Sequence, residues 1–71
     1  MVYGLDKDKL GRQMKAAREK KGLSVIEAAA KAGTAEWVVY KLEKGILNPT
    51  LNWLHRYCVA LEIRMEFVLW E

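Results

Sequence analysis

Three glycines, Gly22, Gly33 and Gly45, stand eleven and twelve residues apart, and each follows a segment whose apolar residues recur with helical spacing. Glycine readily takes the left-handed conformation that ends a helix, so this punctuation cuts the chain into short helices. The first is expected to begin near Asp8, to carry Leu10, Met14 and Ala17 on one face, and to end at Gly22. Ser24 and Glu27 form a Ser-x-x-Glu capping box that opens the second, which runs through Ile26, Ala28, Ala29 and Ala32. The third covers roughly Ala35 to Lys44, with Val38, Val39 and Leu42 at core spacing. Asn48-Pro49 marks a turn, and Pro49 and Thr50 start a fourth helix with an apolar stripe of Leu51, Leu54, Cys58 and Leu61.

Past Leu61 the pattern changes from helical to alternating, with Ile63, Met65, Phe67 and Leu69 on one side and Arg64, Glu66, Val68 and Trp70 on the other. This predicts one strand over 63–70. A lone strand leaves its backbone donors and acceptors unpaired along both edges, so its natural partner is the same strand of a second copy. Composition points the same way: 52% hydrophobic residues in 71 is more than one modest core uses, and the surplus suits a surface buried against another chain. A chain of this length is expected to form a single domain, residues 1–71, with a helical bundle over 8–62 followed by the dimerisation strand.

The single cysteine, Cys58, reads as a small core hydrophobe and gives no disulfide framework, which fits a reducing compartment. No run approaches a membrane span and the first ten residues are charged, so the expectation is a cytoplasmic protein that neither crosses a membrane nor is exported. Net charge is only +3, but its distribution is uneven. Residues 1–23 carry seven basic side chains against three acidic, residues 24–45 balance, and residues 46–71 are slightly acidic. One end is therefore basic, as a face meeting a polyanion would be, although a solvated basic helix reads the same way. Enzymatic chemistry has little to draw on: His55 beside Arg56 reads as a surface residue, Cys58 as core, and no metal-ligand spacing occurs. Neither catalysis nor a cofactor is expected.

Two short helices joined by a tight glycine-containing turn within a bundle make a helix-turn-helix. The pattern Gly22-Leu23-Ser24, Ala28-Ala29, Gly33, Val39, Leu42-Glu43, Gly45, Pro49, Leu54 and Ala60-Leu61 resembles the Cro/repressor (XRE) family over about residues 8–63. The resemblance implies a mainly α fold, a compact lambda-repressor-like bundle of four or five helices, here extended by the C-terminal β-strand pairing across a dimer. It implies double-stranded DNA as the partner, with the outer face of the third helix in the major groove. Matched onto the family's motif, the base-reading positions are Glu36, Trp37, Tyr40 and Lys41, and the phosphate-contacting ones are Ser24, Lys44 and Asn48. Arg18 and Glu43 match an ion pair tying the first helix to the end of the third, with an Arg18–phosphate contact as the alternative.

The chemistry of those side chains leaves alternatives open. Lys41 can donate to guanine O6/N7 or only to phosphate, Glu36 can accept from cytosine N4, and Tyr40 can bond a phosphate or pack on a thymine methyl. Trp37 can cover a thymine methyl or pack on the protein surface. Two departures from the family bear on these positions: Val25 replaces the usual glutamine after the capping serine, and Ala35 stands where serine or threonine is common, so a cap must come from Thr34 or from none. The segment Leu61-Glu62-Ile63-Arg64-Met65-Glu66-Phe67 resembles DNA-binding antitoxins of the HipB and HigA kinds, whose strand pairs across a dimer. That implies an autoregulating repressor, dimerised through Ile63, Met65, Phe67 and Leu69, which also binds a toxin encoded beside it. A free-standing phage or chromosomal repressor, and a protein-binding module that kept the bundle but lost DNA affinity, are the alternatives.

Overall fold

Three of the helices in the described residues begin where the sequence supplies side-chain oxygen acceptors for the orphan N–H groups of a first turn. A computed structural model describes residues 6–64 and contains α1 (Lys7–Lys20), α2 (Val25–Ala32), α3 (Glu36–Lys44) and α4 (Leu51–Leu61). The Asp6 carboxylate accepts from Lys9 N at 3.0 Å, and Thr50 Oγ1 from Trp53 N at 3.1 Å. Ser24 and Glu27 make both bonds of the capping box: Glu27 N donates to Ser24 Oγ at 3.1 Å, and Ser24 N to Glu27 Oε1 at 2.8 Å. The Ser24 N–H bonded to the ionised carboxylate, with the Ser24 hydroxyl second, holds the Glu27 carboxyl below its usual range. At α3 the N-cap is Ala35, with no side-chain cap bond, so Thr34 does not supply one.

All four helices end the same way. After α2, Gly33 N donates to Ala30 O and Thr34 N reaches back to Ala29 O, with Gly33 left-handed at φ 68°. This paired closure satisfies the last carbonyls and reverses the chain within two residues, which sets α3 against α2. Gly22 and Gly45 do the same for α1 and α3, and Glu62, at φ 58°, does so for α4.

The core lies between the four helices. Leu10 and Met14 come from α1, Ala28 and Ala29 from α2, Val39 and Leu42 from α3, and Leu54, Tyr57, Cys58 and Leu61 from α4. α3 packs most extensively against α1 and next against α2, while α4 closes the bundle over α2. Ala28 and Ala29 of α2 present only methyl groups and are buried, so α3 can approach closely.

Three sequence expectations need correction. Val38, read at core spacing, is only partly buried and is not among the residues packed on the core, while α2 turns Val25, Ala28, Ala29 and Ala32 inward and leaves Ile26 61% exposed. Leu51 is half exposed, and Tyr57 takes its place in the buried stripe of α4. Ile63 and Arg64, the expected first strand residues, carry no regular structure. Ile63 N donates to Cys58 O at 2.8 Å and the side chain packs on the core, so Ile63 completes the α4 cap. The remainder of the expected strand, including Met65, Phe67 and Leu69, lies outside the described residues. Among the described residues no helix is long and apolar enough to cross a membrane.

Candidate functional site

The outer face of α3 is positioned by one polar clamp and one close backbone approach. Arg18, in the last turn of α1, donates from Nε to Glu43 Oε2 at 2.6 Å and from Nη2 to Glu43 Oε1 at 3.0 Å. Its Nη1 donates to Leu23 O at 2.7 Å. One guanidinium thereby binds α1, the entry to α2 and the end of α3, and both side chains of the pair are over nine-tenths buried. The Glu43 hydrogen bond, opposed by desolvation, raises the Arg18 pKa above its ordinary value, so the guanidinium is charged at every relevant pH.

The second constraint was not found in the sequence. Gly11 is buried in α1, and a Cβ built on it would lie 2.5 Å from Glu43 O and 2.8 Å from Leu42 O. α1 thus runs against the last carbonyls of α3, where a side chain would not fit. An isolated glycine inside a helical pattern, five residues after Asp6, is the signal that could have marked it.

With Val39 and Leu42 facing inward, the other side of α3 faces solvent. Glu36, Trp37, Tyr40 and Lys41 are all exposed there, Trp37 at 60% and Tyr40 at 54%, so Trp37 is not packed into the protein surface. Lys44 is exposed on the same helix and Asn48 in the loop that follows. Two lysines lie over aromatic rings: Lys41 Nζ is 5.0 Å from the Trp37 centroid, and Lys44 Nζ is 5.2 Å from that of Tyr40. Ser24 is exposed at the start of α2, but its hydroxyl and its N–H are both engaged with Glu27, so a phosphate there would compete with the capping box. His55 is exposed and Cys58 buried on α4, with burial pushing the thiol pKa up.

A clamped pair of short helices, α2 and α3, joined by a left-handed glycine and presenting an open polar and aromatic face, is a helix-turn-helix. A helix-turn-helix family model matches residues 14–68, most of the chain, and the chain belongs to that family in its Cro/repressor (XRE) form. Among curated proteins it is similar to the HTH-type transcriptional regulator SinR of Bacillus subtilis (strain 168), 30% identical over 63 residues. It is similar at the same identity and length to the SinR of Bacillus licheniformis. Each alignment covers 87% of this chain but 57% of the relative, so the chain spans little more than half the length of these proteins.

Proposed function

We propose that this chain is the DNA-binding unit of a transcriptional repressor that acts as a homodimer on a palindromic operator. The observation that carries this reading is the exposed face of α3, Glu36, Trp37, Tyr40 and Lys41, on a helix whose opposite face and C-terminal end are fixed by the core and by Arg18. The family and the transcriptional regulators it resembles support it further.

In this mechanism α3 enters the major groove. Lys41 donates to guanine and Glu36 accepts from the cytosine amino group, with Trp37 and Tyr40 beside them on the same groove-facing side of the helix. Lys44, Asn48 and the start of α2 near Ser24 meet phosphates and set the register without reading sequence. Two copies, paired through the 65–70 segment, place their third helices about 34 Å apart in successive major grooves and keep polymerase off the site. The finer reading is an autoregulating antitoxin, supported by the sequence resemblance over 61–67. It is tested by copurification with the product of the adjacent reading frame, and failure to copurify leaves a free-standing repressor.

Mobility shift on the DNA upstream of the chain's own gene, at low salt, tests DNA binding itself. A shift is expected. Lys41→Ala should relax preference at one base position, whereas Lys44→Ala should weaken binding to all sequences alike and reduce the salt slope by about one. Absence of any shift at low salt sinks the reading in favour of a protein-binding module.

A further inference from the structure

The α3 face carries more organisation than a row of independent contacts. Trp37 and Tyr40 are each followed four residues later by a lysine, the spacing that makes side chains neighbours on a helix, and each ammonium lies over the ring at 5.0 and 5.2 Å. Lysine has a long stem with many rotamers, and a contact to a base or phosphate must restrict them. An ammonium already held over a ring by the quadrupole has lost part of that freedom before any ligand arrives. Both rings are more than half exposed, so they are not spent on the core.

We infer that Trp37 and Tyr40 are positioning residues, which hold Lys41 and Lys44 in fixed poses over their rings so that the base-reading and the phosphate-contacting ammonium are preorganised for DNA. This rests on the DNA-binding reading above. It assigns the aromatic residues a role exerted through the lysines: the lysines touch the nucleic acid and the rings aim them.

Two measurements test it, one of them without DNA. In the free protein, the methylene protons next to the Lys41 and Lys44 ammonium groups should be shifted upfield by ring current in the proton NMR spectrum. They should return to ordinary lysine values in Trp37→Ala and Tyr40→Leu respectively. Unshifted methylenes in the wild type overturn the inference whatever the protein binds. The second is a double-mutant cycle on operator DNA. Trp37→Ala should raise Kd about two- to fivefold, the size of an exposed cation–π contact, and should have no further effect in a Lys41→Ala background. An undiminished loss in that background means that Trp37 meets DNA directly, and overturns its positioning role. Tyr40→Phe keeps the ring and should keep the Lys44 methylene shifts that Tyr40→Leu abolishes; loss of the shifts in both variants would place the role in the hydroxyl and overturn the Tyr40 half. All four side chains are exposed, and circular dichroism melts establish that each variant folds. Shifted methylenes in a protein that binds no DNA would remove the DNA-binding reading and this use of the lysines together, while leaving the stacking itself established.

Discussion

At the scale of single residues, two side chains are held at a cost. Glu62 sits at φ 58°, in the left-handed region where its Cβ crowds the following carbonyl, yet it closes α4 in the way that glycine closes the other three helices. Glu62→Gly should therefore stabilise the fold by about 0.5–1 kcal/mol and raise the melting temperature by several degrees. A lowered midpoint in thermal unfolding would show that the Glu62 side chain contributes more than its backbone costs. Tyr57 is 2% exposed, stacked on Trp53 at 5.3 Å, and its hydroxyl has no hydrogen-bond partner among the described residues. Tyr57→Phe keeps the shape and removes an unpaired buried group, so it should stabilise the bundle by about 1 kcal/mol. Burial also pushes the Tyr57 pKa from 10 up to about 12. The unfolded chain then gives up this proton first, and stability should fall as pH rises from 10 to 12. Melts across that range should show a steeper alkaline decline in the wild type than in Tyr57→Phe, and parallel declines would contradict the burial.

Between elements, the pose of α3 is decided where α1 crosses its end. Gly11→Ala is a helix-favouring change by about 1 kcal/mol on propensity alone. Its methyl group would press on Glu43 O and Leu42 O, which are backbone and cannot rotate away, and overpacking of this kind costs about 1–3 kcal/mol. The clash should win, with lower stability and weaker DNA binding in the same variant; a higher melting temperature would mean that the two helices separate freely. Arg18→Lys tests the clamp. An ammonium cannot reproduce the planar fork that spans both Glu43 oxygens and Leu23 O, so the conservative change should cost about 2 kcal/mol in chemical denaturation. Much of this scale was legible in the chain. The capping box at Ser24 and Glu27, the Thr50 start and the glycine stops are local signals, satisfied within a few residues of backbone. The inward faces of the shorter elements were less so: Val38 and Leu51 fit an apolar stripe in the sequence, but two or three turns cannot fix which of two adjacent faces points inward.

The whole molecule, as proposed, is a pair. The excess of apolar residues and the alternating 63–70 pattern argue for two copies joined through Met65, Phe67 and Leu69, although Ile63 is committed to its own bundle. Replacing Met65 and Phe67 with Asp should give a monomer by sedimentation and an operator affinity that depends more steeply on protein concentration. A variant that still sediments as a dimer would move the interface elsewhere, and the exposed Ile46 and Val59 would be the next surface to substitute.

Helix number, helix limits and the family could be read from the residues alone, because capping oxygens, left-handed glycines and apolar spacing act over one or two turns. The three-dimensional arrangement was needed for everything that depends on two segments meeting. It added Leu23 O to the Arg18–Glu43 pair that the family resemblance implied, forbade a side chain at Gly11, drew Ile63 into the α4 cap and seated two lysines over the α3 rings. Local chemistry determines where helices start and stop, whereas the fit between helices is a property of surfaces that exist only once they are packed.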